Sequence, residues 1–581
     1  MTRRFEVTIR DGPARIGRLR IDGTVETPAI LSGGQIRSTG PIWNFPTVED
    51  ALKEGFELSK KVGKVFIGPH VAAPLHTEPP FQVAHIPTDG PSGAVVHPLA
   101  RDRPPACDVY IIGAAGSLRN PRELLAAVID IRKKTPSDSA LYAPALATPS
   151  NLALLTYLGV DLVDETRVTV DGLLGRYHLR DGAWPLKELK DLPCRCSFCK
   201  AMEKTGADPE LVAGHNLLRL EEELLICREM IRKGTIREYL ERQVRVAPEQ
   251  TVALRLLDQE HRYLERRTPV YRKSVMYANS AESLHRVEVT RFAERVLERY
   301  RAPEGGVLLL LPCSARKPYS TSRSHRLFAT ALGTTRRRIK ELILTSPLAL
   351  VPRELEEVYP AASYDVPVTG RWDLEERRWL TLCLDGYLEK NPSATIIAHI
   401  DGELREVVEG HGIEAVYTGG GTTDEALKRL SEAAAEATAG ARVQEGFMLQ
   451  RFIALANYQF GRGSATDLMA GEVRVKGREL QSSEKKSLGS ITPQGTIAIS
   501  LEGAKRLLSR GGYVVEIGDF IPRGDVLAPG VTSADDQIRP GDEGRVVGEA
   551  AFGVGRAKMS GWEMVESTRG IAVELRQVEE V

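Results

Sequence analysis

Two groups of side chains stand out for the chemistry that they could support. Cys194-Arg-Cys196-Ser-Phe-Cys199 places three thiols in six residues, and His215 follows after a gap of fifteen. Three soft thiolates and one imidazole complete a tetrahedral Zn²⁺ shell. Four protein ligands leave no open position, so such an ion is structural rather than catalytic. The plainer alternative is three unrelated thiols near a helix-capping histidine. The second group is the run from Pro312 to His325. Here Cys313 supplies a nucleophile, and Arg316 and Lys317 supply cations that would favour its thiolate. Tyr319 and His325 can hold or move protons. The alternatives are that Cys313 packs at a strand end and that Arg316 and Lys317 bind phosphate. Ser322 also fits a helix N-cap.

These groups need elements that place them. Cys313 follows the apolar run Val307–Leu311, so it should sit at a strand end. Strands are predicted at Gly306–Leu311, Glu341–Thr345, Thr395–Ile400 and Ile413–Tyr417. Helices are predicted at Ser283–Tyr300, Ser324–Leu332, Leu374–Lys390 and Thr423–Ala437. That alternation predicts a doubly wound α/β domain over 281–444, with ligands at the carboxyl ends of its strands. Ser346, Arg353 and Glu354 would follow the second strand, Asp401 the third, and the Gly419-Gly420-Gly421 turn the fourth. Arg353 and Glu354 could grip the carboxylate and amino group of a free amino acid. Gly420 could help to cradle an anion, or belong to a plain turn.

The remainder of the 581 residues divides by pattern. About 150 residues per domain suggests roughly four domains. Residues 1–280 alternate strands (Lys64–Ile67, Val109–Ile112, Ala140–Ala143) with helices such as Asn120–Lys134, Asn216–Gly234 and 249–265. Residues 445–498 read as a small α+β module, and 499–581 as a Gly- and Pro-punctuated β-barrel. No apolar run approaches the ~20 residues of a membrane span. The opening residues lack a signal-peptide pattern. Seven cysteines make no disulfide framework, so a reducing, cytoplasmic setting is expected. The 78 basic and 78 acidic residues cancel, but unevenly. Residues 301–345 carry nine cations and two acids, while 501–581 carry ten cations and fourteen acids. Positive charge therefore gathers around the Cys313 loop, where a nucleic-acid backbone would need it.

Three resemblances follow from these residues. The cysteine cluster, His215-Asn216-Leu217, the stretch Gly159-Val-Asp-Leu-Val-Asp164, and Thr27-Pro28 resemble tRNA-guanine transglycosylases. That implies a zinc-bearing (β/α)₈, or TIM-like, barrel over 1–280, with Asp164 at the place of the family's carboxylate nucleophile. The family's base-reading Asp-Ser-Gly-Gly-Phe-Gln is replaced by Leu31-Ser32-Gly33-Gly34-Gln35, so base exchange is expected to be lost. The Pro-Cys-Ser-x-x-Lys-Pro-Tyr run, Ser346-Pro…Pro-Arg353-Glu354 and Tyr364-Asp365-Val-Pro-Val-Thr369-Gly370-x-Trp372 resemble the archaeosine synthase family. Leu527-Ala-Pro529-Gly530-Val531 and Gly541-Asp542 resemble a PUA domain, a small RNA-binding barrel.

The second resemblance implies an enzyme acting on the nitrile of 7-cyano-7-deazaguanine, already placed in the D-loop of tRNA. It implies L-lysine as co-substrate, joined through its side-chain amine, with glutamine the older alternative. A radical-SAM partner would cleave the adduct. A homodimer is compatible with all of this. Lysine's ammonium must lose a proton before it attacks, and Tyr319, His325, Asp365 or Asp401 could accept it. Attack could be direct, or follow a thioimidate at Cys313. A working transglycosylase and a non-catalytic tRNA-binding protein are the competing readings.

Overall fold

The computed structural model describes residues 3–581 apart from 22, 32–35, 39–45, 47–49, 51–52, 54–64, 68–82, 86–89, 304–305, 369, 442 and 445. The string Leu31–Gln35, beyond Leu31, lies outside the described residues, as do Lys64 and Thr369. The chain forms two compact units. One comprises Met1–Pro269, Leu527–Val531 and Met559–Ala572; the other comprises Val270–Val526, Thr532–Lys558 and Val573–Val581.

The first unit is built on strands β1 (Ala29–Leu31), β2 (Val83–His85), β3 (Gly93–Val96), β4 (Val109–Ile112), β5 (Ala140–Ala143) and β6 (Leu162–Asp164). Their order is β1-β6-β5-β4-β3-β2, parallel throughout except for β2 against β3. Strands β3 and β4 are buried at every residue, as parallel strands covered by crossover helices must be. Two of those helices are α1 (Pro121–Lys134) and α2 (Leu152–Leu158). Asn120 caps α1, its side chain accepting from Arg122 N. After β6 the chain turns into α3 (Thr166–Leu173), and later into α4 (Pro209–Lys233). Gly172 lets these two helices touch, because a Cβ there would lie 2.4 Å from Ala213 Cα.

The second unit opens with α5 (Val287–Arg299). There follow β7 (Val307–Pro312), α6 (Arg323–Leu332), β8 (Ile339–Thr345), β9 (Ala349–Pro352) and α7 (Leu374–Lys390). Then come β10 (Ile396–Ala398), α8 (Gly402–Gly410), β11 (Val416–Tyr417) and α9 (Asp424–Ala437). The sheet order is β9-β8-β7-β10-β11, parallel except for β8 against β9. Because the chain leaves β7 on one side and returns at β10 on the other, the strand order reverses beside β7. A crevice opens at such a reversal, and Cys313 is the first residue beyond β7. Strand β9 escapes the sequence reading, since Ala349–Pro352 looks like the loop that its flanking prolines suggest. The predicted helix Ser283–Tyr300 is split, because Arg286 is extended (φ −61°, ψ 143°) between a short 3₁₀ turn and α5.

Helix α10 (Phe447–Phe460) and the antiparallel strands β12 (Val473–Lys476), β13 (Glu479–Ser482), β14 (Ser487–Ile491) and β15 (Ile497–Ile499) come next. Strands β16 (Val514–Ile517), β17 (Glu543–Val547), β18 (Ala551–Ala557) and β19 (Ile571–Glu580) end the chain. Strand β16 pairs parallel to β17, and β18 pairs antiparallel to both β17 and β19. One apolar core runs from Phe292 through β7 and β8 to Phe452, Leu488 and Val554. Leu310 is fully buried at its centre. Leu310→Ala is expected to cost about 2–5 kcal/mol in a denaturant titration monitored by circular dichroism.

Candidate active site and metal centre

The four residues Cys194, Cys196, Cys199 and His215 converge in the first unit, their donor atoms all within 4.8 Å of one another. Cys196 caps the helix Ser197–Thr205, its sulfur accepting from Cys199 N, so the backbone already curls round the thiols. Helix α4 starts at an Asp208 cap with Pro209 in the first turn and carries His215 inward. The imidazole is oriented from behind. Its Nε2 donates to the His178 carbonyl at 2.8 Å, which leaves Nδ1 as a lone pair 3.3 Å from Cys199 Sγ and 3.5 Å from Cys196 Sγ. Tyr177 stacks on that ring at 3.9 Å, and its hydroxyl lies 3.2 Å from Cys199 Sγ. Next along α4, Asn216 ties together the carbonyls of Val168 and Arg176 and the amide of His178. Metal–sulfur bonds of about 2.3 Å need donor spacings of roughly 3.8 Å, and the cluster sits close to that. Its donor set and second layer therefore fit a metal ion. Cys199→Ser should lower bound metal measured by plasma mass spectrometry and the melting temperature together.

Asp164 ends β6 and is buried. Its carboxylate accepts from the Tyr142 hydroxyl at 2.6 Å and from the amides of Ala145 and Thr166. These donors fix the orientation of its carboxylate at the strand end.

In the second unit Cys313 lines a cavity of about 600 Å³ with Ser346, Arg371, Trp372, Asp373 and Glu376. The Ser346 hydroxyl donates to Glu376 Oε1 at 2.5 Å, and Glu376 Oε2 accepts from Asp373 N. Asp373 and Glu376 form the capping box of α7, a signal readable as Asp-x-x-Glu in the sequence. Glu375 also lines the cavity, paired with His285 at 2.9 Å. Three carboxylates against Arg371 make this wall acidic. The sequence reading missed it, since only folding brings 278–284 and 371–376 to the end of β7.

Beside Cys313, the Lys317 ammonium sits 4.0 Å over the Tyr364 ring. Burial pulls the Lys317 pKa down, against the pull of Cys313 and Asp365. Tyr319 is fully buried, its hydroxyl 2.6 Å from that of Tyr364, which also meets Thr345. Burial pushes the Tyr319 phenol well up, with Tyr364 and Cys313 adding to it. Asp365 is exposed and bonds its own neighbour's amide, Val366 N. Arg316 is exposed, and its carbonyl accepts from Ser314.

Other expected site residues have different surroundings. His325 is buried, not open to substrate: Nε2 donates to the Pro312 carbonyl at 3.0 Å, and Arg353 Nη2 donates to Nδ1 at 2.7 Å. Ser322 caps α6 by accepting from His325 N. Arg353 spends its guanidinium on Glu341, Glu356 and His325. Glu354 is buried and takes its hydrogen bond from the Tyr300 hydroxyl. Arg353 and Glu354 line a second cavity of about 570 Å³, away from Cys313. They turn there because β9 reverses the chain, which the sequence reading lacked. Asp401 is exposed at the start of α8. Gly420 (φ +59°) packs on it, so that a Cβ would lie 2.8 Å from the Asp401 Cγ. The glycine turn therefore faces a carboxylate, a poor neighbour for an anion. Behind it, buried His399 bonds Thr418 and the Gly421 carbonyl.

Family models match three segments: a queuine tRNA-ribosyltransferase at 99–249, a domain of unknown function (DUF5591) at 289–434, and a PUA domain at 516–578. Archaeosine synthase subunit alpha of Methanosarcina acetivorans is 41% identical, and archaeosine synthase of Haloferax volcanii 39%, each aligned over the whole of both chains. The chain belongs to the archaeosine synthase family. The tRNA-guanine(15) transglycosylase of Methanobrevibacter smithii is 26% identical over 81% of this chain and 72% of its own. A crystal structure of a protein of unknown function is 34% identical over 50% of this chain and 99% of its own, with a TM-score of 0.41. In this archaeosine synthase family member no described helix is long and apolar enough to cross a membrane.

The buried pair at Arg353 predicts acid sensitivity. Burial, then Arg353, pulls the His325 pKa down to about 3 from 6.5. The folded state thus binds fewer protons there than the unfolded chain. Stability is full above about 6.5 and falls as pH drops toward about 3. Glu341, pulled to about 2 chiefly by Arg353 against its burial, acts in the same sense below 4.5. Melting temperatures between pH 7.5 and 5 should fall less in His325→Gln than in wild type.

Proposed function

We propose that the chain adds an amine to the nitrile of 7-cyano-7-deazaguanine held in the D-loop of tRNA, with L-lysine as the donor. The observation that carries this is Cys313 at the end of β7, opening on a cavity with an acidic wall, in a full-length relative of archaeosine synthase. An ε-ammonium suits Asp373, Glu375 and Glu376 better than a neutral amide does, which favours lysine over glutamine. The donor must shed a proton before its nitrogen attacks the nitrile carbon. Lys317, whose charge burial already disfavours, is placed to take it when neutral. The nitrile nitrogen gains a proton as the C–N bond forms, leaving an amidine.

Two routes lead there. The lysine nitrogen attacks directly, or the Cys313 thiolate adds first and is then displaced as thiolate by the amine. Cys313→Ala separates them: unchanged turnover excludes the covalent route. Lys317→Arg should cut turnover by about 100-fold or more while tRNA binding persists, because a guanidinium does not give up its proton. Mass spectrometry of nitrile-bearing tRNA with labelled lysine or glutamine tests the reaction itself. A lysine mass gain supports it; no gain with either donor overturns it.

The ion at the cysteine cluster is read as structural Zn²⁺. Residues 1–280 are read as a (β/α)₈ barrel that has lost base exchange, 281–444 as the catalytic domain, 445–498 as a small α+β module and 499–581 as the PUA barrel. The hydrogen bonds that surround Asp164 support the loss. Its place at a strand end keeps a working transglycosylase as the second reading, and robust exchange of labelled guanine into tRNA would establish that one instead. A separate radical-SAM subunit is proposed to cleave the adduct, in keeping with relatives named subunit alpha. A tRNA substrate puts the reaction in the cytoplasm.

A further inference from the structure

The first unit holds a narrow cleft far from both sites described above in sequence and in composition. It is lined by Arg10, Arg15, Arg132, Thr135, Arg267 and Glu563, among others, and has room for about 30 Å³, a small polar group. Its charges do not balance. Arg15 and Arg132 both bind Asp161 behind the cleft, and Arg15 and Arg132 use their remaining donors on the carbonyls of Ser137, Ser139 and Gly159. Arg10 reaches Glu563 at 3.3 Å, and that carboxylate's other oxygen accepts from Ser560 N. Four guanidiniums therefore meet two carboxylates. Arg267 makes no ion pair among the described residues, and the Glu563 charge that it feels is already shared with Arg10. It lies 4.0 Å over the Tyr263 ring and 4.9 Å from the Trp562 ring, and gives one donor to the Tyr263 carbonyl. The hydroxyl of Thr135, in a residue 2% exposed, lines the same cleft with no hydrogen-bond partner among the described residues. Burial, then the crowding of Arg15, pulls the Arg132 pKa down to about 10, and burial lowers that of Arg267.

A buried hydroxyl without a partner and cations that outnumber their counter-charges are both costly. One ligand relieves both: a compact oxyanion that accepts from Arg267, Arg10 and Thr135. We propose that this cleft is a phosphate-binding site, its phosphate supplied by an RNA backbone or by a free phosphate. Guanidiniums and a hydroxyl are the groups that grip phosphate oxygens without reading sequence.

The experiment uses the full chain. Binding of a tRNA transcript is measured across salt concentrations, and binding of inorganic phosphate by calorimetry, for wild type, Arg267→Gln, Arg267→Lys and Thr135→Val. If the phosphate belongs to RNA, Arg267→Gln weakens tRNA binding roughly tenfold and lowers the slope of log affinity against log salt by about one contact, near 0.9. Arg267→Lys should then regain most of the slope. If the source is a free phosphate, the wild type binds inorganic phosphate, Arg267→Gln and Thr135→Val do not, and tRNA binding is unchanged. Wild-type levels of both in Arg267→Gln and in the near-isosteric Thr135→Val overturn the site. Should Arg267→Gln fail to fold, Thr135→Val alone decides. The readout is binding, so it stands apart from the chemistry proposed at Cys313.

Discussion

Arg353 must be neutralised inside the second unit, and much of the surrounding structure follows from meeting that need. A buried guanidinium is tolerable only with acids and hydrogen bonds around it. Glu341 comes from β8, Glu356 from just beyond β9, and His325 from the first turn of α6. Each partner then does a second job. Glu356 accepts from Ser320 N, and His325 donates to the carbonyl of Pro312. The loop that carries Cys313 is thereby pinned at both of its ends by one cation. Removing a partner of such a pair costs about 3–5 kcal/mol, enough to loosen the loop as well as the sheet.

The two units separate opposite kinds of surface. The cavity at Cys313 is walled by carboxylates that already serve as helix cap and hydrogen-bond acceptors. The cleft in the first unit is walled by guanidiniums, several of them also structural. In both places groups that stabilise the fold leave a residual charge. The group of three cysteines and His215 does something simpler. It closes a small loop-rich segment whose apolar core is only Tyr177, Cys194, Cys199, Met202 and Val212 plus a few half-buried neighbours.

What could be read in advance depended on whether the signal was local. The thiols and His215 were legible because one loop and one helix hold them. The strand at Val307–Pro312 was legible from the apolar run Val307–Leu311, the strand at Ile339–Thr345 was read only from Glu341 onward because Lys340 interrupts its apolar start, and α7 was read to the residue. Arg353 and Glu354 were misplaced because a four-residue antiparallel strand between two prolines reads as loop. Gly420 looked like an anion cradle because its neighbour Asp401 lies nineteen positions away. The acidic wall and the cationic cleft were invisible as sites, since each gathers residues from distant segments, and the Asp373-x-x-Glu376 capping box reads by itself only as a helix start.

The first unit closes around residues near the far end of the chain. Arg3 and Asp138 both bind Thr568, Ser137 meets Ser567 at 2.9 Å, and the Arg266 carbonyl accepts from Ser560. Arg3 and Thr568 are 565 residues apart, so translation delivers one long before the other. The ribosome must therefore have made the 560–568 stretch before this unit can fill its own hydrogen bonds. Until then Asp138 has Arg3 but not Thr568, and Ser137 and the Arg266 carbonyl have water in place of Ser567 and Ser560, so the earlier-made unit is finished late.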